Sequence, residues 1–181
     1  MHRTMKLKEF NIPFSGLKLG KHHFEYQIDK SFFDSFDYDE FNAASVKVDV
    51  ILEKMSTVME LEMHAKGTVN VACDISNEPY DQPVEGSLKL VIKFGDAYND
   101  EDDEILVLPH GEYQFNVAQY VYEMIVLSVP SKRIHPGVLD GSLDSEMLRK
   151  LQELQPKEDS DKKEQTDPRW DALRNLLTDK K

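Results

Sequence analysis

A strand–turn–strand pattern over residues 59–94 constrains this chain more than any other feature. On its first arm Met59, Leu61, Met63, Ala65, Val69, Val71 and Cys73 fall on one face, and Glu60, Glu62, His64, Lys66, Thr68 and Asn70 on the other. That is the period of a β-strand with one apolar and one wet side. Gly67 interrupts the row, where a residue without Cβ marks a bulge or a close backbone approach. On the return arm Val84, Leu88, Leu90, Ile92 and Phe94 alternate with Glu85, Ser87, Lys89 and Lys93, after a proline-flanked tip. A lone hairpin cannot bury such a face, so the rest of the chain must supply further strands and a lid.

Those elements are legible on both sides of the hairpin. Val46, Val48, Val50 and Leu52 alternate with charged neighbours, and Phe24, Tyr26 and Ile28 do the same further upstream, with residues 5–12 a possible first strand. Asp29 is placed to cap a short helix carrying Phe32, Phe33 and Phe36 as core anchors. Residues 115–129 hold the best helix signal, with Asn116 and Gln119 spaced as a capping box, Phe115 and Tyr120 as a staple, and Pro130 as the stop. The stripe of Val117, Tyr120, Val121, Met124, Ile125 and Leu127 makes this helix the expected lid. A second helix is predicted over 144–155. The fold class is therefore α+β: an antiparallel meander, strongly coiled or partly closed so that its edges are not left open, covered by an amphipathic helix, with C-terminal helices.

Three segments follow from the pattern: a single domain over 1–155, a flexible polar tether over 156–166, and a helix over 167–181. The tether contains no apolar side chain other than its proline. Asp167 suits an N-cap and Pro168 the first helical position, where its missing N–H costs nothing. Trp170, Leu173, Leu176 and Leu177 then form a narrow apolar face on a helix too short to be stable alone. It must dock, either on its own domain or in a partner's groove. Asp167, Pro168, Arg169, Trp170, Leu173 and Leu177 are the predicted partner-binding residues.

Charge and cysteine usage bound the function. The 181 residues carry a formal net charge of -12, a field that repels a phosphate backbone unless cations are concentrated locally, and that accepts a basic protein more readily. The one cysteine excludes an intramolecular disulfide and a multi-cysteine zinc site within the chain. No run approaches the roughly 18 apolar residues of a membrane span, and no apolar signal-peptide core follows the N-terminus, so a cytoplasmic location is expected.

Catalytic constellations are missing from the sequence. The six histidines are scattered, and no nucleophile elbow, Walker loop or dinucleotide glycine pattern occurs. Cys73 is expected to be buried and inert. The acidic stretch 95–104 lacks the alternation of a calcium loop and is expected to be a solvated, mobile segment. Lys132, Arg133 and His135 form a small basic patch, a possible RNA contact. No cofactor, catalytic residue or metal ligand is assigned.

Taken in order, several of these features resemble the YceD-like family, described as large ribosomal RNA subunit accumulation proteins. The resemblance is carried by the Gly67-Thr68-Val69-Asn70-Val71-Ala72-Cys73 run into a proline-flanked turn and by the acidic loop. The helix ending in Leu127-Ser128-Val129-Pro130 and the terminal Asp167-Pro168-Arg169-Trp170 complete it. It implies a role in ribosome assembly, with a ribosomal protein or assembly factor as partner and rRNA contact possible, rather than a reaction. It also implies a zinc arrangement, since family members commonly carry Cys-x-x-Cys at the hairpin tip and further cysteines after the lid helix. Here the first pair is Cys73-Asp74-Ile75-Ser76 and residues 131–138 hold no cysteine, so the metal site is degenerate. The leading expectation is a non-catalytic factor for large-subunit rRNA accumulation acting through protein contacts. The alternatives are a direct RNA-binding module built on the basic patch and a divalent-metal-dependent hydrolase built on the acidic loop.

Overall fold

A computed structural model describes residues 7–102 and 104–154. The chain divides into two compact units, Met1–Ser145 and Glu146–Lys181. The tether and terminal helix predicted over 156–181 lie outside the described residues, and the partner-binding residues Asp167 to Leu177 lie there with them.

The first unit is built on a six-stranded sheet, in which four long strands lie side by side in chain order and are followed by β7 (Ile105–Pro109) and then by the outer strand β6 (Asn99–Asp102). Its long strands are β2 (Gly20–Asp29), β3 (Ala43–Lys54), β4 (Val58–Ala72) and β5 (Pro79–Gly95), all joined by antiparallel ladders in unbroken register. The alternation seen in the sequence is the alternation of burial. Val46, Val48, Val50 and Leu52 on β3 and Met59, Leu61, Met63 and Ala65 on β4 are buried on one face. Leu90 and Ile92 on β5 continue that face. Gly67 sits in an unbroken register opposite Val46 and Val84, so it marks a close approach and not a bulge. A Cβ there would lie 2.6 Å from Val46 Cα and collide with the Ser45 carbonyl.

Four expectations are corrected. The sheet is not closed or strongly curled, since no ladder joins β2 to β6 among the described residues. Its outer strands are instead studded with charge, a common means of discouraging edge pairing: Lys21 and Glu25 on β2, and Asp100, Glu101 and Asp102 on β6. Second, the sheet is not a pure meander. After β5 the chain runs to the outer strand β6 (Asn99–Asp102) and turns back as β7 (Ile105–Pro109), which enters between β5 and β6 and pairs with β5 in parallel. Third, part of the acidic stretch, Asn99–Asp102, is an edge strand and not a loop, although its side chains all face solvent as expected.

The fourth concerns the amphipathic helix, which is shorter than its sequence signal. Phe115–Asn116 forms β8, which pairs with β1 (Asn11–Ile12) in a small second sheet, and α2 spans Ala118–Ser128. The capping box does not form. Asn116 Oδ1 accepts from Ala118 N at 2.9 Å, while its amide nitrogen donates to Leu7 O and Asn11 Oδ1, and Gln119 turns outward to Glu123. Helix α2 packs on β4 and β5, with Val121, Met124 and Ile125 buried. Gly86 on β5 accommodates it, because a Cβ there would lie 3.2 Å from the Met124 carbonyl.

Upstream, α1 (Lys30–Asp34) begins as its sequence requires: the Asp29 carboxylate accepts from Ser31 N and Phe32 N. Its Phe32 and Phe33 are buried. Phe36 stacks on Tyr122 of α2 at 4.4 Å, and Phe33 meets Phe41 edge-on at 4.9 Å. The short α3 (Pro136–Leu139) closes the first unit. In the second, α4 (Glu146–Leu154) is the described part of the helix predicted over 144–155.

Candidate functional site

The tip of the β4–β5 hairpin and the segment that follows α2 meet at one junction. A tight turn makes the tip: Cys73 N donates to Glu78 O at 2.9 Å, Asn77 N returns to Cys73 O at 2.9 Å, and Asn77 takes a φ of 58°. Asparagine tolerates that left-handed conformation better than most residues. The turn aims the Cys73 sulfur at the crossing segment, where His135 N donates to Sγ at 3.2 Å and Ser76 N at 3.5 Å. Burial pushes the Cys73 thiol up, but the His135 N–H and the Ser76 groups outweigh it and bring the thiol down to about 7. The expectation of a buried cysteine holds. Its acidity, however, departs from that of an inert apolar thiol.

Asp74 and Arg133 tie the same two segments a second time. Asp74 N donates to Arg133 O at 2.8 Å, and Arg133 N donates to Asp74 Oδ2 at 2.7 Å. The Arg133 guanidinium reaches Glu40 at 3.1 Å and Asp74 at 3.5 Å. His135 is also engaged: its Nδ1 accepts from Gly137 N at 2.9 Å, capping α3, and its ring lies edge-on to Tyr80 at 5.4 Å.

The predicted basic patch is thus not free in charge. Of its three members, Lys132 is exposed, whereas Arg133 is held between two carboxylates and His135 caps a helix. Elsewhere on the sheet's polar face three lysines are matched as well. Lys47 meets Asp49 and Glu25, Lys66 meets Glu85, and Lys89 meets Glu62 at 3.0 Å. The Lys89 ammonium holds the Glu62 carboxyl below its usual range. Sequence reading missed Asp74 and Glu40 as partners of Arg133. The resemblance supplied the available signal, by placing a cysteine-bearing segment after the helix against the hairpin tip.

The residues at this junction do not fit the zinc implied by that resemblance. Ser76 stands where a second thiolate is needed, the Cys73 sulfur already accepts two N–H groups, and His135 Nδ1 is occupied by Gly137 N. Among the described residues no group of three or more His, Cys, Asp or Glu side chains is arranged to hold a metal ion. Hydrogen bonds and an ion pair join the two segments instead. Among the described residues no helix is long and apolar enough to cross a membrane.

No curated protein and no solved structure matches the chain. A family model described as large ribosomal RNA subunit accumulation protein YceD matches residues 61–177, which include most of β4, all of β5, the acidic edge strand, α2 and the whole Cys73–His135 junction except Glu40. With well over half of its length matched, the chain belongs to the YceD family.

Proposed function

We propose that this protein is a non-catalytic factor supporting accumulation of large-subunit rRNA through contacts with a ribosomal protein or another assembly factor. The family description names accumulation of that RNA and no reaction. The observation that carries the protein-contact reading is the neutralisation of the basic patch. With Arg133 between Glu40 and Asp74, the patch offers one exposed lysine to a phosphate backbone, in a chain of net charge -12. Helix α2 is the cover of the sheet in this reading, and the segment carrying Asp167, Arg169, Trp170 and Leu173 is a contact element for the partner.

The test is the ratio of large- to small-subunit rRNA in cells depleted of the protein and complemented with the intact chain. A selective fall, restored by complementation, supports the role, and an unchanged ratio removes it. Complementation by a chain lacking 156–181, provided the remaining domain is folded, isolates the terminal segment, whose loss is expected to abolish rescue. The Lys132→Glu, Arg133→Glu variant separates protein from RNA contact. Rescue by a folded form of this variant supports protein contacts, whereas salt-dependent RNA binding by the intact chain that this variant loses supports direct RNA binding.

A further inference from the structure

Between α2 and β6 lies a groove of about 620 Å³. Leu88 of β5 and Tyr120 of α2 give it an apolar interior, and Leu127 at the end of α2 stands 83% exposed at its margin. Tyr98, 55% exposed, stands at the β6 side and donates to Asp100 Oδ2 at 3.0 Å. Asp100 and Asp102 on β6 and Glu123 on α2 give the walls three carboxylates, and among the described residues no lysine or arginine lines the groove.

The strand that supplies Leu88 is also open along one edge. On its β7 side β5 is paired only from Val91 to Gly95, so from Pro79 to Leu90 that edge has no ladder partner among the described residues. The direction of its backbone groups follows from two hydrogen bonds. Cys73 N donates to Glu78 O, so even-numbered positions of β5 face β4, whereas Val91 N donates to Glu104 O, so odd-numbered positions face away. Pro79 and Pro83 occupy odd positions, where a missing N–H costs the β4 ladder nothing. Glu85, Ser87 and Lys89 occupy the next three, and their N–H and C=O groups point to the unpaired side.

An exposed strand edge beside an apolar, acid-walled groove suits one kind of occupant: main-chain hydrogen bonds supply affinity, and pockets for alternate side chains supply specificity. Resting on the protein-contact reading above, we infer that the edge of β5 over residues 85–89 accepts an extended, lysine- or arginine-rich segment of a partner protein as an added strand. Its inward side chains enter the groove, with cations at Asp100, Asp102 and Glu123 and an apolar residue against Leu88 and Leu127. Charge complementarity selects this occupant, since RNA or a second copy of this acidic chain brings like charge to the same walls.

The probe is a short labelled peptide whose alternate positions, those that face inward in an added strand, carry lysine and valine in turn with serine between them, titrated into the full chain and followed by fluorescence anisotropy. The expected result is saturable binding that weakens with salt, with none for the same peptide carrying glutamate in place of lysine. The Asp100→Lys, Asp102→Lys pair is expected to weaken binding about tenfold. Leu127→Asp, at an exposed position that leaves the core intact, and alternate backbone N-methylation of the peptide each lower it as well. Unchanged affinity in the folded double variant, or full affinity of the N-methylated peptide, overturns the inference. Engagement of the groove by an RNA oligonucleotide or by a second copy of the chain in place of the peptide also overturns it. A folded variant that has lost the peptide yet restores rRNA accumulation removes the groove and leaves the protein-contact reading standing. An rRNA ratio indifferent to the intact chain removes that reading whatever the peptide does.

Discussion

The backbone N–H of His135 points at the sulfur of Cys73 across 3.2 Å, joining positions 62 residues apart in sequence. Ser76 N–H approaches the same sulfur, and the thiol is 2% exposed, so both donors depend on an acceptor that water cannot readily replace. Cys73→Val keeps the apolar shape but leaves these N–H groups without an acceptor, at an expected cost of about 1–3 kcal/mol in urea unfolding. Cys73→Ser retains an acceptor and is expected to lose less. Equal losses in the two variants would assign the effect to packing.

The same contacts give stability a pH dependence of known sign. The thiol lies at about 7 in the fold against an ordinary value of 9.0, so the folded state holds the thiolate more readily than the unfolded chain. A group with a lowered folded pKa contributes above its unfolded value and loses that contribution as pH falls through the folded one. Unfolding free energy is therefore expected to rise between pH 7 and 9 by up to about 2 kcal/mol. Cys73→Ser, which does not ionise there, is expected to lack that part of the slope.

Asp74 and Arg133 divide the second tie at the junction unequally. The Asp74 carboxylate accepts from the Arg133 backbone at 2.7 Å as well as meeting the guanidinium at 3.5 Å. Asp74→Ala is thus expected to cost about 1–2 kcal/mol, the larger effect, because it strips the acceptor from a main-chain N–H. Arg133→Ala removes only partly exposed ion pairs and is expected to cost less than about 1 kcal/mol. Chemical denaturation of the two variants ranks them, and the reverse order would mean that the guanidinium, not the carboxylate, holds the junction.

What the sequence made legible was local, and what it hid was set by distant partners. Alternation at Val46–Leu52 and Met59–Ala65 identified the buried face, and Asp29 identified a helix start, because each signal lies within a few residues of its effect. The parallel entry of β7 beside β5 has no local signature, since Ile105–Pro109 reads the same whichever neighbour it joins. Asn116 was misread for the same reason. Its spacing to Gln119 fits a capping box, but its amide is committed to Leu7 and Asn11, more than 100 residues away. Lys132, Arg133 and His135 lie next to one another in the sequence, while the carboxylates that neutralise Arg133 come from Glu40 and Asp74, far upstream.

Gly67 presents a sterically absolute position. A methyl group there would meet the Ser45 carbonyl and lie 2.6 Å from Val46 Cα, both backbone atoms of the paired strand that cannot rotate aside. Gly67→Ala is expected to destabilise by about 2 kcal/mol or more, by forcing β3 and β4 apart where their ladder is otherwise continuous. The comparison is Gly16→Ala, where nothing lies within 4 Å of the added carbon. A thermal unfolding midpoint that falls for Gly67→Ala and holds for Gly16→Ala is the expected pattern, and equal shifts would remove the steric explanation.

Lys54, at the last position of β3, closes the loop that precedes β2. Its ammonium donates to Phe14 O at 2.8 Å and Leu17 O at 2.9 Å, with Ser15 O more distant at 3.5 Å. Three rotatable N–H donors on a flexible stem match three converging carbonyls, an arrangement a planar guanidinium does not reproduce. Lys54→Met keeps most of the stem but leaves those carbonyls without a charged donor, at an expected cost of about 2 kcal/mol, and Lys54→Arg is expected to recover only part of it. The loop has a separate readout, because Leu17 N donates to Phe14 O and Ser15 N to Tyr113 O, each at 3.2 Å. Amide exchange at Leu17 and Ser15 is therefore expected to accelerate in Lys54→Met under conditions where exchange in the middle of β3 and β4 does not. Uniform acceleration would instead mean that Lys54 stabilises the domain as a whole and not this loop.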